Sequence, residues 1–129
     1  MAVKYKVIER GQPGVAGGGE KKFYANALTN GELTLEKLTT RIEKISTVGG
    51  ADIRAVLYAL VDVMTDGLEE GAIVRLGDLG SLRVSISSNG EINEEDITSH
   101  SIKSSKCIFT PGKKLKQMLN NLEYQKVDL

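Results

Sequence analysis

The chain has 129 residues, and its 17 Lys and Arg residues balance 17 Asp and Glu residues to a formal net charge of zero. This length predicts one compact domain with at most a small extension. The zero net charge excludes the overall basicity of an abundant nucleic-acid coat, so any binding to nucleic acid requires a local basic patch. The chain has no Trp and only 5% aromatic residues, which disfavours binding of single strands by base stacking.

Cysteine content and hydropathy bear on the compartment. A single cysteine, Cys107, excludes an internal disulfide and is compatible with a reducing environment. The sequence contains no run of about 18 apolar residues, and no apolar stretch follows the charged N-terminal residues. We therefore expect a cytoplasmic protein with no membrane partner.

The N-terminal residues predict a β-hairpin. Residues 3–7 alternate between apolar or aromatic side chains and lysines, a break containing glycine and proline follows at residues 11–14, and residues 22–25 form a second candidate strand. The glycines at 17–19 do not match a phosphate-binding loop, because neither a Gly-Lys-Ser/Thr triplet nor a helix follows them. A long hairpin loop is the better interpretation.

The pattern of breaks also predicts the domain organisation. We expect an N-terminal β-hairpin extension at residues 1–30, a main domain at 31–122 and a C-terminal tail at 123–129. The tail is predicted to be an extended segment, which would allow it to pair with the N-terminal strand.

Two amphipathic helices follow the hairpin. Thr34 is the predicted N-cap of the first helix, at residues 34–46, and residues 48–50 end it. The second helix is predicted to begin near Ala51 and to stop at Gly71. Its apolar stripe is wide, so it packs either against the first helix and a sheet alone or partly against the same helix of a second subunit. The stripe consists of Ile53, Val56, Leu57, Leu60, Val61, Met64 and Leu68.

The remaining residues predict strands and a final helix. Residues 74–84 form two short strands around a tight glycine turn that contains Asp78. Residues 85–108 form a hairpin, for which Asn89-Gly90 is a strong turn signal. The returning strand then leads into a helix that ends near Leu122, with Thr110 as its N-cap and Pro111 at its first position.

Two motifs in this region are specific enough to compare with known families. Residues 76–84 are Leu-Gly-Asp-Leu-Gly-Ser-Leu-Arg-Val, and residues 109–116 are Phe-Thr-Pro-Gly-Lys-Lys-Leu-Lys. With the order of elements, they make residues 34–120 similar to the HU and integration host factor family of bacterial histone-like proteins, in a variant branch with extra N-terminal strands. The resemblance implies an α+β fold with two N-terminal helices, a β-sheet with an arm and a C-terminal helix, in an intertwined homodimer.

The same resemblance implies a function. Members of this family are architectural proteins that bind duplex DNA, so it implies non-sequence-specific DNA binding in the organisation of the nucleoid. Arg83, Lys113 and Lys116 match basic positions of the family, where they would contact phosphates, and amides near Gly112 would add an anion site. The predicted DNA-binding residues are Arg75, Arg83, Lys103, Lys106, Lys113, Lys114 and Lys116.

The chain also departs from the family. The family's arm is rich in Arg and Lys and carries a proline that wedges between base pairs, whereas residues 85–106 have no proline and few cations. Four carboxylates stand in this span: Glu91, Glu94, Glu95 and Asp96. They repel phosphates, so we expect weaker binding and little bending. The alternative is a structural or protein-interaction module that keeps the dimer scaffold, with the lysines as an ordinary solvated surface.

Catalysis has little support in the sequence. His100 is the only histidine, which excludes a metal site built from several histidines and leaves a catalytic pair without a second member. We expect a protein that is not an enzyme and that needs no cofactor, metal ion or small-molecule substrate.

Overall fold

A computed structural model describes residues 1–12 and 14–128 of the chain, and within them it has three α-helices and two three-stranded β-sheets. In chain order the elements are β1 (Val3–Arg10), β2 (Lys22–Ala27), α1 (Leu35–Ile45), α2 (Gly50–Glu69), β3 (Val74–Arg75), β4 (Gly80–Ser88), β5 (Ile102–Pro111), α3 (Lys113–Asn120) and β6 (Tyr124–Lys126). The chain divides into two compact units, residues 1–34 with 119–129 and residues 35–118. The three domains expected from the sequence stay a prediction.

The first unit is built on a sheet with the strand order β2-β1-β6. Strands β1 and β2 are antiparallel, and β6 runs parallel to β1. The backbone N–H of Val127 donates to the carbonyl of Tyr5 at 2.8 Å, which extends the pairing of β6 with β1. The predicted hairpin is therefore confirmed, as is pairing of the tail with the first strand. The predicted break at residues 11–14 includes Pro13, which lies outside the described residues, as does Leu129 of the tail.

The second unit begins with the two helices. Gly49 precedes α2 as its N-cap, and the N–H of Ile53 donates to the Gly49 carbonyl at 3.0 Å. After α2, Gly71 has a φ of +83°, a conformation that favours glycine and ends the helix. Both predicted helices are confirmed to within one or two residues at each end.

The apolar stripe of α2 is only partly covered in this single chain. Ile53 is buried with 6% exposure, whereas Val56, Leu60 and Val61 remain 64%, 38% and 54% exposed. Helix α1 packs against α2, but a short helix covers only part of such a wide stripe. The chain alone thus leaves a large apolar surface in contact with solvent.

A second sheet, with the antiparallel order β3-β4-β5, follows the helices. The tight turn between β3 and β4 is closed by the N–H of Leu76, which donates to the Gly80 carbonyl at 2.8 Å. Gly80 is required there, because its φ is +145° and an added Cβ would overlap the carbonyl oxygen of Thr110. The predicted pair of short strands around a glycine turn is confirmed.

Strands β4 and β5 form the hairpin predicted for residues 85–108. Asn89-Gly90 begins its tip and does not make a tight turn, because the N–H of Asn89 donates to the Ser101 carbonyl at 2.8 Å and a longer tip lies between them. This tip contains two short 3-10 helices, Glu94–Asp96 and Ser99–Ser101, whose internal hydrogen bonds replace a tight turn.

The start of α3 also differs from the prediction. Thr110 is not its N-cap and Pro111 is not its first residue, since both pair with β4 as the end of β5. Gly112 separates strand from helix and accepts a hydrogen bond from the N–H of Lys116 at 2.9 Å. Continued pairing with β4 holds Pro111 in an extended conformation, which outweighs its suitability for a helix start.

Candidate nucleic-acid interface

Three of the predicted binding residues share one face of the β3-β4-β5 sheet. Arg75 lies opposite Ser81, and Lys106 lies opposite Ser85. Directly paired residues are on the same face, and so are residues two apart along a strand. Because Ser81, Arg83 and Ser85 alternate along β4, the face that carries Arg75 also carries Arg83 and Lys106. We call it the cationic face.

The two faces of this sheet differ sharply in chemistry. Strands β3, β4 and β5 contain no Asp or Glu, so no carboxylate within these strands offsets the positive charge. The opposite face is mainly apolar, with Val74, Leu82, Val84, Ile86, Cys107 and Phe109. Cys107, the free cysteine, is exposed on this second face. The alternation thus directs cations to one side and apolar side chains to the other.

Lys103 does not join the cationic face by this register. Ser87 pairs with Ser104 while Ser88 pairs with Ile102, so Lys103 is the extra residue of a β-bulge. Simple alternation fails at a bulge, so the register assigns Lys106 to the cationic face and assigns Lys103 to neither face.

A cleft next to the glycine turn brings a strand cation and a helix cation together. Its volume is about 300 Å³. It is lined by Arg75, Gly77, Gly80, Ser81, Thr110, Pro111, Gly112 and Lys116. Arg75 and Lys116 supply the positive charge, and the glycines expose backbone rather than side chains. Such a cleft has the chemistry to hold a phosphate group between two cations.

The other two lysines of α3 are distributed around the helix. Lys113 precedes Lys116 by three residues, so the two are neighbours on the helix surface. Lys114 lies one position further round and does not line the cleft. Both Lys113 and Lys114 are exposed, as are the four remaining predicted site residues of the sheet.

The tip of the β4-β5 hairpin has the opposite sign. Glu91, Glu94, Glu95 and Asp96 are all exposed within it. The side chain of Asn93 donates to Asp96 at 3.4 Å. His100 lies in the second 3-10 helix of the tip, where it is exposed. The negative charge is therefore confined to the loop beyond the strands.

A group of serines that was not predicted as part of the site also lies on the cationic face. Ser81, Ser85, Ser87 and Ser104 occupy it together with the cations. Hydroxyl groups are common partners of phosphate oxygens in protein complexes with DNA. The alternation in Ser85-Ile86-Ser87 was the available signal, because it already assigns the hydroxyls to one face and the isoleucine to the other.

Metal-binding clusters and membrane-spanning helices are both absent from the described residues. Within residues 1–12 and 14–128, no group of three or more His, Cys, Asp or Glu residues is arranged to hold a metal ion. In the same part of the chain, no helix combines the length and the apolar character needed to cross a membrane.

The fold of the chain is similar to folds seen in solved structures. A candidate bacterial DNA-binding protein from Bacteroides vulgatus aligns with a TM-score of 0.66 and 15% sequence identity, over 98% of this chain and 48% of that one. The chain therefore spans about half the length of that protein. An HU mutant from Thermotoga maritima aligns with a TM-score of 0.48 and 20% identity, over 67% of this chain and 97% of that one. No curated protein sequence matches the chain significantly.

A match to a family model defines the class of protein as a histone-like, HU-related domain, with the mixed α+β fold described above. The chain belongs to the HU-HIG family, described as an HU domain fused to wHTH, Ig, or glycine-rich motif, and the match covers residues 1–126. The family resemblance drawn from the sequence is thereby confirmed.

Proposed function

We propose that this protein binds duplex DNA without sequence specificity, as a non-catalytic architectural component of the nucleoid. The observation that carries the proposal is the arrangement of Arg75, Arg83 and Lys106 on one sheet face whose strands contain no carboxylate. Membership of the HU-HIG family supports it, as does the candidate DNA-binding function of the Bacteroides relative.

Contact with phosphates is the mechanism that fits this surface. Cations on neighbouring strands contact the DNA backbone, and serine hydroxyls between them donate hydrogen bonds to phosphate oxygens. In the cleft, Arg75 and Lys116 hold a further phosphate, and Lys113 extends the contact along α3. None of these groups reads a base edge, so the affinity comes from counterion release and falls with salt.

The hairpin tip limits the strength of this grip. Its exposed carboxylates repel the backbone, and the span 85–106 has no proline to insert between base pairs. We therefore propose binding that is weaker than is usual for the family and that bends the duplex little.

A homodimer is part of the proposal, because the apolar stripe of α2 needs a cover. Val56 and Leu60 of the stripe are 64% and 38% exposed, and Val63, which lies beside the stripe one helical turn after Leu60, is 68% exposed. A second copy of the same helix supplies a matching apolar surface across a twofold axis. Two copies also present two cationic faces to one duplex.

The experiment that tests the proposal compares the wild-type protein with Arg83→Gln/Lys106→Gln in titrations of a fluorescent duplex of about 30 base pairs. Removing two phosphate contacts should lower the slope of log affinity against log salt by about 2. The matched control is Lys37→Gln/Lys44→Gln in α1, which changes the net charge equally. Equal slopes for the two variants would refute a phosphate-binding role of the cationic face.

The acidic tip favours one second candidate, a protein-interaction module on the same scaffold. Four exposed carboxylates at the end of a hairpin form a surface suited to a basic protein partner. If the wild-type protein binds no duplex even at low salt, this candidate replaces the first.

A further inference from the structure

The three-stranded sheet of the first unit carries its cations on one face and mainly apolar side chains on the other, as does the sheet of the second unit. In the β1-β2 register, Lys6 lies opposite Asn26, Ile8 opposite Tyr24 and Arg10 opposite Lys22. Lys4 precedes Lys6 by two residues and shares its face. One face of this sheet thus carries Lys4, Lys6, Arg10 and Lys22, and we call it the N-terminal basic face.

No carboxylate in the described strands shares the N-terminal basic face. The one acidic residue of β1, β2 and β6 is Glu9, which lies opposite Phe23 on the other face. That other face is otherwise mostly apolar, with Val3, Tyr5, Val7, Ala25, Ala27 and Tyr124. In this chain that face is itself open, with Val7, Phe23 and Tyr124 45%, 71% and 66% exposed. On the basic face, Lys4, Arg10 and Lys22 are exposed, so their charged groups are accessible to a ligand.

The pairing of Arg10 with Lys22 points to an anionic ligand. Like charges directly opposite each other across antiparallel strands destabilise the pair. Stability alone therefore gives no reason for this pair, whereas a bound anion between the two side chains would turn repulsion into attraction. Both residues are exposed.

An aromatic ring sits among these cations. The guanidinium carbon of Arg10 lies 4.9 Å from the ring centre of Tyr24, a distance at which the cation is attracted to the ring face. This contact restricts the flexible Arg10 side chain above the sheet. The half-buried Lys6 and Ile8 complete the surface, with aliphatic stems beneath charged groups.

The spacing of the cations matches an extended polyanion. Residues two apart on a strand are about 7 Å apart, so Lys4 and Lys6 form a row along β1 that Arg10 continues after Ile8. A nucleic-acid backbone presents a regular row of negative charges that such a row of cations can contact.

From this arrangement we infer that the N-terminal basic face is a second nucleic-acid-binding surface, which contacts the phosphate backbone through Lys4, Lys6, Arg10 and Lys22. It is separate from the cationic face and adds its own phosphate contacts. Strands β1 and β2 would then increase the number of phosphates that one chain neutralises. These added contacts would offset the repulsion between the DNA and the acidic hairpin tip.

The first test compares two double variants of the full chain in duplex titrations over a range of salt. Lys4→Gln/Lys6→Gln removes two charges from the N-terminal basic face. Lys21→Gln/Lys126→Gln removes two charges from the same unit, but Lys126 lies opposite Tyr5 on the other face and Lys21 precedes β2. We expect the first variant to lower the salt slope by about 2 and the second to leave it near the wild-type value. Equal slopes for the two variants would overturn the inference.

A second test uses the repulsion between Arg10 and Lys22. Lys22→Gln should raise the melting temperature, since it removes a like-charge pair, and should lower DNA affinity. A residue with a purely structural role would not change stability and affinity in opposite directions. Unchanged affinity would contradict the inference even if the melting temperature rises.

Two further comparisons distinguish DNA from an acidic protein as the ligand, and the N-terminal basic face from the cationic face as the site of binding. If Lys4→Gln/Lys6→Gln weakens binding to polyglutamate but not to DNA, the face is selective for acidic protein and the inference is overturned. The variant Arg83→Gln/Lys106→Gln tests the cationic face alone. Loss of slope only in the N-terminal variant would support this inference while refuting the proposed role of the cationic face, and the reverse result would do the opposite.

Discussion

Gly112 donates its backbone N–H to the carbonyl of Leu79 at 2.9 Å, and this bond ties the start of α3 to the glycine turn between β3 and β4. The two segments are more than thirty residues apart in sequence, yet they form the cleft that contains Arg75 and Lys116. The position of Lys116 relative to the sheet therefore depends on a close approach of two backbones, which only glycine permits.

Replacing this glycine should destabilise the protein. In Gly112→Ala, the added Cβ would lie 2.5 Å from the carbonyl oxygen of Asp78, and relieving that overlap requires the turn or the helix to move. We expect a loss of about 1–3 kcal/mol in the free energy of unfolding, measured by urea denaturation. Gly90→Ala is the control, because nothing lies within 4 Å of its added Cβ. Equal stabilities of the two variants would show that the backbone approach is looser than described.

The β-bulge predicts different effects for two neighbouring lysines. Lys106→Gln should lower the salt slope of duplex binding by about 1, because Lys106 shares the cationic face with Arg83. Lys103→Gln should change the slope less, because the bulge leaves Lys103 unpaired with β4 and outside the group formed by Arg83 and Lys106. Both variants remove one positive charge from the same strand, so each is the control for the other. A larger effect for Lys103 would show that the bulge residue, and not Lys106, makes the main phosphate contact.

The acidic tip should weaken DNA binding through charge repulsion. Glu94→Gln/Glu95→Gln should raise the affinity for duplex DNA, and the gain should shrink as salt screens the charges. Glu36→Gln/Glu43→Gln in α1 makes the same change in net charge and serves as the control. Anisotropy titrations at low and high salt measure both effects. Unchanged affinity in the tip variant would mean that the hairpin tip stays clear of the DNA.

Dimer formation through α2 can be tested with one introduced charge. Val56→Glu places a carboxylate in the exposed apolar stripe, so it should dissociate the dimer or prevent folding, because a buried unpaired charge is costly. Ala55→Glu, one position earlier on the polar side of the helix, should leave the dimer intact. Light scattering reports the mass, and circular dichroism shows whether the variant is folded. A dimer that persists in folded Val56→Glu would remove this stripe from the interface.

Much of the fold was predictable because local chemistry determines it. The helical spacing of Leu35, Leu38 and Ile42 and the glycines around α2 predicted both helices, and alternating residues predicted β1 and β4. The glycine turn near Asp78 and the return of the tail to β1 followed from the same patterns.

The parts that differed depend on contacts between distant segments. Pro111 suits a helix start locally, but its pairing with Gly80 keeps it in β5. Asn89-Gly90 favours a tight turn locally, but the bond from Asn89 to Ser101 closes a longer tip instead. The bulge at Lys103 and the grouping of Arg75 with Lys106 arise from strand register, which no short segment specifies by itself. The roles of these residues in binding stay predictions.

DNA binding through the backbone, without reading of the base sequence, is tested most directly with the wild-type protein. We would titrate it against two fluorescent duplexes of equal length and unrelated sequence, over a series of salt concentrations. We expect equal dissociation constants for the two duplexes, with affinity falling linearly on a log-log plot against salt. A strong preference for one duplex, or an affinity that does not change with salt, would contradict this expectation.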